Sequence, residues 1–530
     1  MNLPQPSHTT FLSLINCIET GQLKIPQFQR DFVWVIDKCA NLMDSIIKGY
    51  PIGTFIFWKT KERLRSIRNI GGIDLPEPPE GDYIQYVLDG QQRITAIYAT
   101  LKGLTISRDN GDDDLGEMYV DLLASEEEPI IITDISNKSK SDIIKLTDLL
   151  YGGLTLLVGL PKIHHTKLEE YKQRIESYCF PTVLVDNAPI DVATDIFTRI
   201  NIGGKPLSVF EIMVAKTFDS AKDFDLSEKY AELINSLENV DYETISDSTV
   251  LQTISVLLEK DCSKKTILRL NKNDFIDVWP DAVDAIEHAV DYFRNYYRIP
   301  VSQLLPYNAL IVPFAYFFYK HKQKPTGNKQ KYLQDFFWRT SLAERYSHSL
   351  ETKIAQDIDR IDEILNNRLP KYDYQVDASP DYIFENGWFS TGRSYIKAIL
   401  CLYAFQEPKS FIDDSIVKIS NDWLKQANSK NYHHFFPKKY LEKKGIEEFN
   451  RNNILNITIV DDYLNKRAIG AAPPSIYMKK FSKDNPILDQ TMKTHLINDI
   501  GSYGIWSDDY DLFLDMRAKA ISKEIKKRII

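Results

Sequence analysis

Apolar residues in the first third of the chain recur with two different periods, and the alternation between them predicts a mixed fold. In FLSLINCIETGQ they return every three to four positions, which predicts an amphipathic helix; CANLMDSIIKGY repeats the pattern and is closed by Gly49. KIPQFQR reads as an extended segment punctuated by Pro26. PIGTFIFW and YIQYVLDG, rich in β-branched and aromatic residues, predict strands. Helical spacing resumes at once in GQQRITAIYATLKG, so a turn falls at Asp89-Gly90. An acidic, Gly-containing surface loop around residues 109–117 leads to a further strand, MYVDLLA. FPTVLVD predicts the last strong strand, and APIDVATDIFTRINIGG a helix that stops at Gly203-Gly204. The pattern to about residue 215 is therefore α/β or α+β.

From Phe210 to about residue 375 the period is almost wholly helical. TVLQTISVLLEK, DAVDAIEHAVDYFRNYY, KYLQDFFWRTSLAERY and KIAQDIDRIDEILNN place apolar residues at i, i+3 and i+4 beneath long polar faces. The break DYQVDASPDY precedes another helix, WFSTGRSYIKAILCLYAF. These boundaries predict an α+β multidomain chain: an α/β domain over 1–215, a helical connector over 216–380 and a third domain over 381–530. At 530 residues the chain is longer than one core usually organises.

Composition narrows the class. Hydrophobic residues at 43% and charged residues at 26% are ordinary globular values. The five cysteines, Cys17, Cys39, Cys179, Cys262 and Cys401, are scattered and form no C-x-x-C pair, which points to a reducing compartment and away from a zinc knuckle or disulfide framework. The longest apolar run, NALIVPFAYFFY, is too short to span a bilayer and contains Pro313, and MNLPQPSHTT lacks the features of a secretory signal. The expected location is the cytoplasm, with no membrane partner. A net charge of −9 argues against indiscriminate coating of nucleic acid, yet basic residues cluster locally at Lys438, Lys439, Lys443, Lys444, at Lys466, Arg467, Lys479, Lys480, and in the terminal KAISKEIKKRII.

The densest chemistry lies near the C-terminus. His433-His434 in NYHHFFPKKYL, Asn456 in NNILNITIV and Asn465 in DDYLNKRAIG, taken as strand, loop, strand and helix, have the spacing of an HNH (ββα-metal) nuclease site. Hydrolysis of a phosphodiester needs a nucleophile, a cation to offset charge on the phosphate oxygens, and a fixed geometry between them. Here His434 is the candidate catalytic base, His433 and Asn465 the candidate metal ligands, and Asn456 an orienting member of the catalytic set. With no cysteine nearby, Mg²⁺ or Mn²⁺ is expected rather than structural zinc. A second pair, His164-His165, has no Asn-bearing strand and helix after it and is read as unrelated to this chemistry.

A second constellation is VLDGQQRITAIY. A strand running into Asp-Gly and a helix opening with Gln-Gln-Arg gathers backbone N–H groups, two amides and a guanidinium around one point, which suits a phosphate-bearing ligand. Asp89 would hold a metal or orient a water; Gln27, Gln29 and Arg30 in IPQFQRDFVW supply further polar groups. No Walker loop is present. In FTRINIGGKPLSVFEI, Asn201, Gly203, Gly204 and Lys205 form a third candidate, which a plain helix C-cap explains equally well.

Together, IPQFQRDFVW, GYPIGTFIFW, YVLDGQQRITAIYATLKG and FTRINIGGKPLSVFEI resemble the signature segments of the ParB/sulfiredoxin-like N-terminal domain of the GmrSD family. HHFFPKKYL and ILNITIVDDYLNKRAIGAAPPSIYM, with the helix before them, resemble that family's HNH domain. The resemblance covers roughly residues 10–215 and 385–480 and leaves the helical middle unassigned. It implies a type IV, modification-dependent restriction endonuclease acting in antiviral defence. A nucleoside triphosphate would be bound and hydrolysed at Asp89, Gly90, Gln91, Gln92 and Arg93, with Gln29 and Arg30 contributing, and modified phage double-stranded DNA would be nicked or cut at the HNH site. A single HNH site cuts one strand at a time, so a double break calls for a homodimer or two encounters. Two rivals share much of this pattern. One is an Ssp-like nuclease that senses phosphorothioate-modified host DNA and attacks unmodified DNA; the other is a nucleotide-gated DNA-binding adaptor whose HNH fold is inactive.

Overall fold

The computed structural model describes residues 5–530 apart from 27–31, 65, 67–68, 71–72, 80, 108–111, 126, 201–207, 220, 420, 422–431 and 461–468. The chain divides into two compact units, Met1–Leu226 and Ser227–Ile530. The protein is mixed α/β, with its main sheet in the first unit and a largely helical remainder.

That sheet has five strands in the order Gln5–Thr10, Cys179–Asp186, Phe55–Thr60, Ile84–Asp89, Leu23–Lys24. Neighbours run antiparallel, parallel, antiparallel and parallel in turn. The central strands are the β-branched and aromatic runs of the sequence, and their inward residues Phe55, Phe57, Val87 and Phe180 are buried. Against them pack the apolar stripes of Phe11–Glu19 (Phe11, Leu14, Ile18) and Ile36–Ile47 (Cys39, Met43, Ile46, Ile47). A bulge between Ile56 and Phe57 offsets the pairing just where the neighbouring strand reaches Asp89. MYVDLLA contributes Tyr119–Asp121 to a separate three-stranded sheet, and APIDVATDIFTRI forms the helix Ile190–Ile200. The expected stop at Gly203-Gly204 lies outside the described residues.

In the second unit the helical period is realised as Asp247–Glu259, Lys272–Asn295, Ile311–Lys320, Gly327–Leu342 and Leu350–Leu365. Pro313 falls in the first turn of Ile311–Lys320, where a missing N–H costs no intrahelical bond. No helix among the described residues is long and apolar enough to cross a membrane. Asp357, fully buried, is held by Arg345 at 2.9 Å, by the Tyr346 hydroxyl at 2.8 Å and by Arg360, a satisfied ionic knot inside the bundle. Farther on, Ser394–Phe405 and the C-terminal helix Tyr510–Lys526 flank a short antiparallel hairpin, Tyr432–His434 with Ile457–Ile459.

Candidate functional site

The hairpin aligns His433 with Thr458 and His434 with Ile457. Side chains alternate along a strand, so the two imidazoles leave on opposite faces. His434 meets Phe389 edge-on, whereas His433, only 3% exposed, lies against Tyr477. The structure thus separates the adjacent histidines into two environments. Asn465, the other expected metal ligand, is outside the described residues. Among the described residues, no group of three His, Cys, Asp or Glu side chains is placed to hold a metal ion. Of the two metal ligands expected from sequence, only His433 therefore falls among the described residues.

Three asparagines shape the turn around His434. Asn456, fully buried, accepts from the Phe436 N–H at 2.8 Å through Oδ1 and donates through Nδ2 to the Phe436 carbonyl at 2.9 Å and the Arg451 carbonyl at 3.3 Å. It therefore fixes the backbone two residues beyond His434 in both directions of hydrogen bonding. Asn453 ties the same loop to the segment ahead, its Nδ2 donating to the Phe384 carbonyl at 3.0 Å while Oδ1 accepts from the Leu455 N–H at 3.1 Å. Asn452 places Oδ1 3.1 Å from His434 Nε2 and donates through Nδ2 to the Phe389 carbonyl at 3.0 Å. Sequence reasoning singled out Asn456 alone. The spacing N-N-x-x-N in NNILNITIV was the available signal for the other two.

Those contacts assign the His434 tautomer. A carbonyl can only accept, so Asn452 turns its NH₂ to Phe389 and its oxygen to the imidazole. Nε2 must then carry the hydrogen, which leaves Nδ1 as the lone-pair nitrogen. Burial pushes the His434 pKa down to about 3, reinforced by the nearby Lys438 and His433 and opposed by the Asn452 bond. The ring is neutral at physiological pH.

The C-terminal helix supports the hairpin from behind. Phe513 stacks on Phe435 with centroids 4.8 Å apart, Tyr510 packs on Phe436, and the Tyr510 hydroxyl donates to the Asn450 carbonyl at 2.6 Å. Arg517 is fully buried, lies over the Tyr403 ring at 5.1 Å and donates to the carbonyl of Ile457, the residue opposite His434, at 3.0 Å. An arginine buried beside a short hairpin has no sequence signature.

In the first unit the strand Ile84–Asp89 ends at Gly90, whose φ of +97° opens the helix Gln91–Lys102. A Cβ there would stand 2.3 Å from the Phe55 ring, so both conformation and space demand glycine. Arg93 folds back and donates to the Ile52 carbonyl at 2.7 Å, the Thr54 carbonyl at 3.1 Å and the Asp89 carboxylate at 3.0 Å. Gly53 makes room for it, since a Cβ at that position would lie 2.4 Å from Nη1. Gln92 accepts from the Val33 N–H at 2.9 Å, and its NH₂ is 3.4 Å from the Gln91 oxygen. Three separate sequence motifs thereby converge on one helix start. Gly90 itself, as the N-cap residue, has no side chain with which to cap that start. Arg93, expected to face a ligand, uses its guanidinium to lock the turn to the Ile52–Thr54 loop. Gln29 and Arg30, like Asn201, Gly203, Gly204 and Lys205, lie outside the described residues. His164 and His165 make local contacts, to Asp142 at 3.2 Å and to the Leu160 carbonyl at 2.9 Å.

Residues 11–218 match the model of the GmrSD restriction endonuclease N-terminal domain, and this match supports a GmrSD-like restriction endonuclease. The chain is also similar over its whole length to an uncharacterized protein of Methanocaldococcus jannaschii, at 25% identity across 609 aligned positions that cover 99% of each chain.

Proposed function

We propose that the protein is a GmrSD-type defence endonuclease that cuts or nicks modified double-stranded DNA at the His434 hairpin and is gated by a nucleoside triphosphate at the Asp89–Arg93 turn. The observation that carries the reading is the relay from the Phe389 carbonyl through Asn452 to His434, which leaves Nδ1 of a neutral imidazole as the proton acceptor. Its Nε2 proton is held by Asn452, so a proton taken from water at Nδ1 yields an imidazolium whose second N–H is already bonded. A base with a pKa of about 3 is weak. An anionic phosphodiester beside the ring, together with the offset of Lys438 by that phosphate, raises its basicity toward the working pH.

His433 and Asn465 would hold Mg²⁺ or Mn²⁺, which when bound supplies charge neutralisation at the phosphate oxygens. Asn456 keeps the Phe435-Phe436 turn in register so that His434 stays aimed. At the other site, the helix start at Gly90, with its positive end of the helix dipole, would face a triphosphate's phosphates, with Asp89 orienting a water and Gln91 and Gln92 lining the turn. Matching of residues 11–218 to the GmrSD N-terminal domain supports the restriction-endonuclease part of this reading.

The test uses full-length protein with plasmids that are unmodified, carry glucosylated hydroxymethylcytosine or carry phosphorothioate linkages, with and without each nucleoside triphosphate. The reading expects divalent-ion-dependent nicking or cutting of modified phage-type DNA that responds to a triphosphate. Cleavage restricted to unmodified DNA and relieved by phosphorothioates would replace the trigger, and DNA binding without cleavage under any condition would replace the nuclease by an adaptor.

A further inference from the structure

We infer that the outer face of the C-terminal helix Tyr510–Lys526 is a docking track for the phosphate backbone of duplex DNA, an inference that rests on the nuclease reading above. The helix is two-sided. Its inner residues Phe513 and Arg517 hold the His434 hairpin through Phe435 and Ile457. Its outer residues Lys519, Lys523, Lys526 and Lys527, with Ser522 and Pro380, line an open groove of about 490 Å³.

The arrangement of charge selects the ligand. Lys519, Lys523 and Lys527 recur at i, i+4 and i+8, which spaces them about 6 Å apart along one helix face. Lys519 is paired with Asp515 at 2.6 Å and Lys527 with Glu524, whereas among the described residues no ion pair engages Lys523 or Lys526. A single small anion is held by convergent donors in an enclosed pocket; a row of cations along an open groove instead complements a regularly charged polymer. Favourable charge at a helix C-terminus explains lysines in the last turn and the i,i+4 pair with Asp515 explains Lys519, but neither accounts for their alignment along one open groove. The net charge of −9 makes a cationic groove stand out against an acidic surface, which focuses a polyanion onto it.

Fluorescence anisotropy of a labelled duplex of about 30 base pairs, without divalent ions and across a salt series, tests the inference on the full chain. Lys523→Glu/Lys526→Glu is compared with wild type and with Lys264→Glu/Lys265→Glu, exposed lysines on the helix Lys264–Arg269. The groove variant should bind about tenfold more weakly at low salt, and the slope of log affinity against log salt should shrink by about 1.8 for two lost phosphate contacts. Its thermal midpoint and the control's affinity should stay at wild-type values. Unchanged binding by the groove variant, or equal losses in both variants, overturns the track while leaving DNA as the substrate. Absence of duplex binding by wild type overturns the track, whereas the nuclease reading stands or falls separately with the cleavage assay above.

Discussion

Asn452 Oδ1 and His434 Nε2 lie 3.1 Å apart, and the opposite end of the same amide is tied to the Phe389 carbonyl. This pair converts a generic strand histidine into one with a defined tautomer. Asn452→Ala removes the partner without touching the imidazole, and cleavage should fall about 10- to 100-fold, as for loss of other orienting partners. Asn452→Asp keeps an acceptor at Nε2 and adds a negative charge that favours the imidazolium. It should retain cleavage and move the acid limb of the pH–rate profile upward. Equal losses in both variants would show that Asn452 acts only through folding.

Asn456 is a different kind of residue. Its fully buried amide satisfies the N–H and the carbonyl of Phe436. Asn456→Ala leaves both groups without their partner, so unfolding by denaturant should show a loss of about 2–4 kcal/mol. A change below about 0.5 kcal/mol would mean that the turn is held by the Phe435–Phe513 stack instead.

Stability should depend on acid in a definite direction. Burial lowers both His434 and His495 to about 3, well below an unfolded histidine. Between pH 6.5 and 3 the unfolded chain therefore binds more protons than the folded one. The contribution is fully present above the unfolded value and is lost as pH falls through that window. The thermal midpoint should drop from pH 7 to pH 4, and His495→Gln should flatten that slope. The same slope in the variant would place the acid sensitivity elsewhere.

At the first unit's turn, Gly90→Ala demands positive φ and drives a methyl group to 2.3 Å from the Phe55 ring. It should cost about 1–3 kcal/mol and abolish triphosphate binding measured by calorimetry. Arg93→Ala frees the Ile52–Thr54 loop and should weaken the same binding while sparing the sheet. Undiminished triphosphate affinity in both variants would remove this turn from the nucleotide site.

The parts of the fold carried by repeating side-chain chemistry were legible from sequence. The strands Phe55–Thr60, Ile84–Asp89 and Cys179–Asp186 and the helices Phe11–Glu19 and Ile36–Ile47 fall where apolar period and turn residues placed them. Gln5–Thr10 did not announce itself, because PSHTT is polar and mostly exposed and joins the sheet's edge through its pairing with Cys179–Asp186. At the candidate site, the residue types and their order were readable, and the hairpin joining the His pair to the segment after Asn456 is present. The opposite facing of His433 and His434 follows from strand geometry. The roles of Asn452, Arg517 and the locking of Arg93 by carbonyls of Ile52 and Thr54 depend on contacts between distant segments, which no local pattern encodes.

The central claim is that His434 performs phosphodiester cleavage. It is tested most directly by incubating supercoiled DNA carrying glucosylated hydroxymethylcytosine with Mg²⁺ or Mn²⁺ and each nucleoside triphosphate, using wild type and His434→Ala of equal thermal stability. The account predicts metal-dependent conversion to nicked or linear DNA by wild type and none by the variant. Equal cleavage by the two proteins would contradict it.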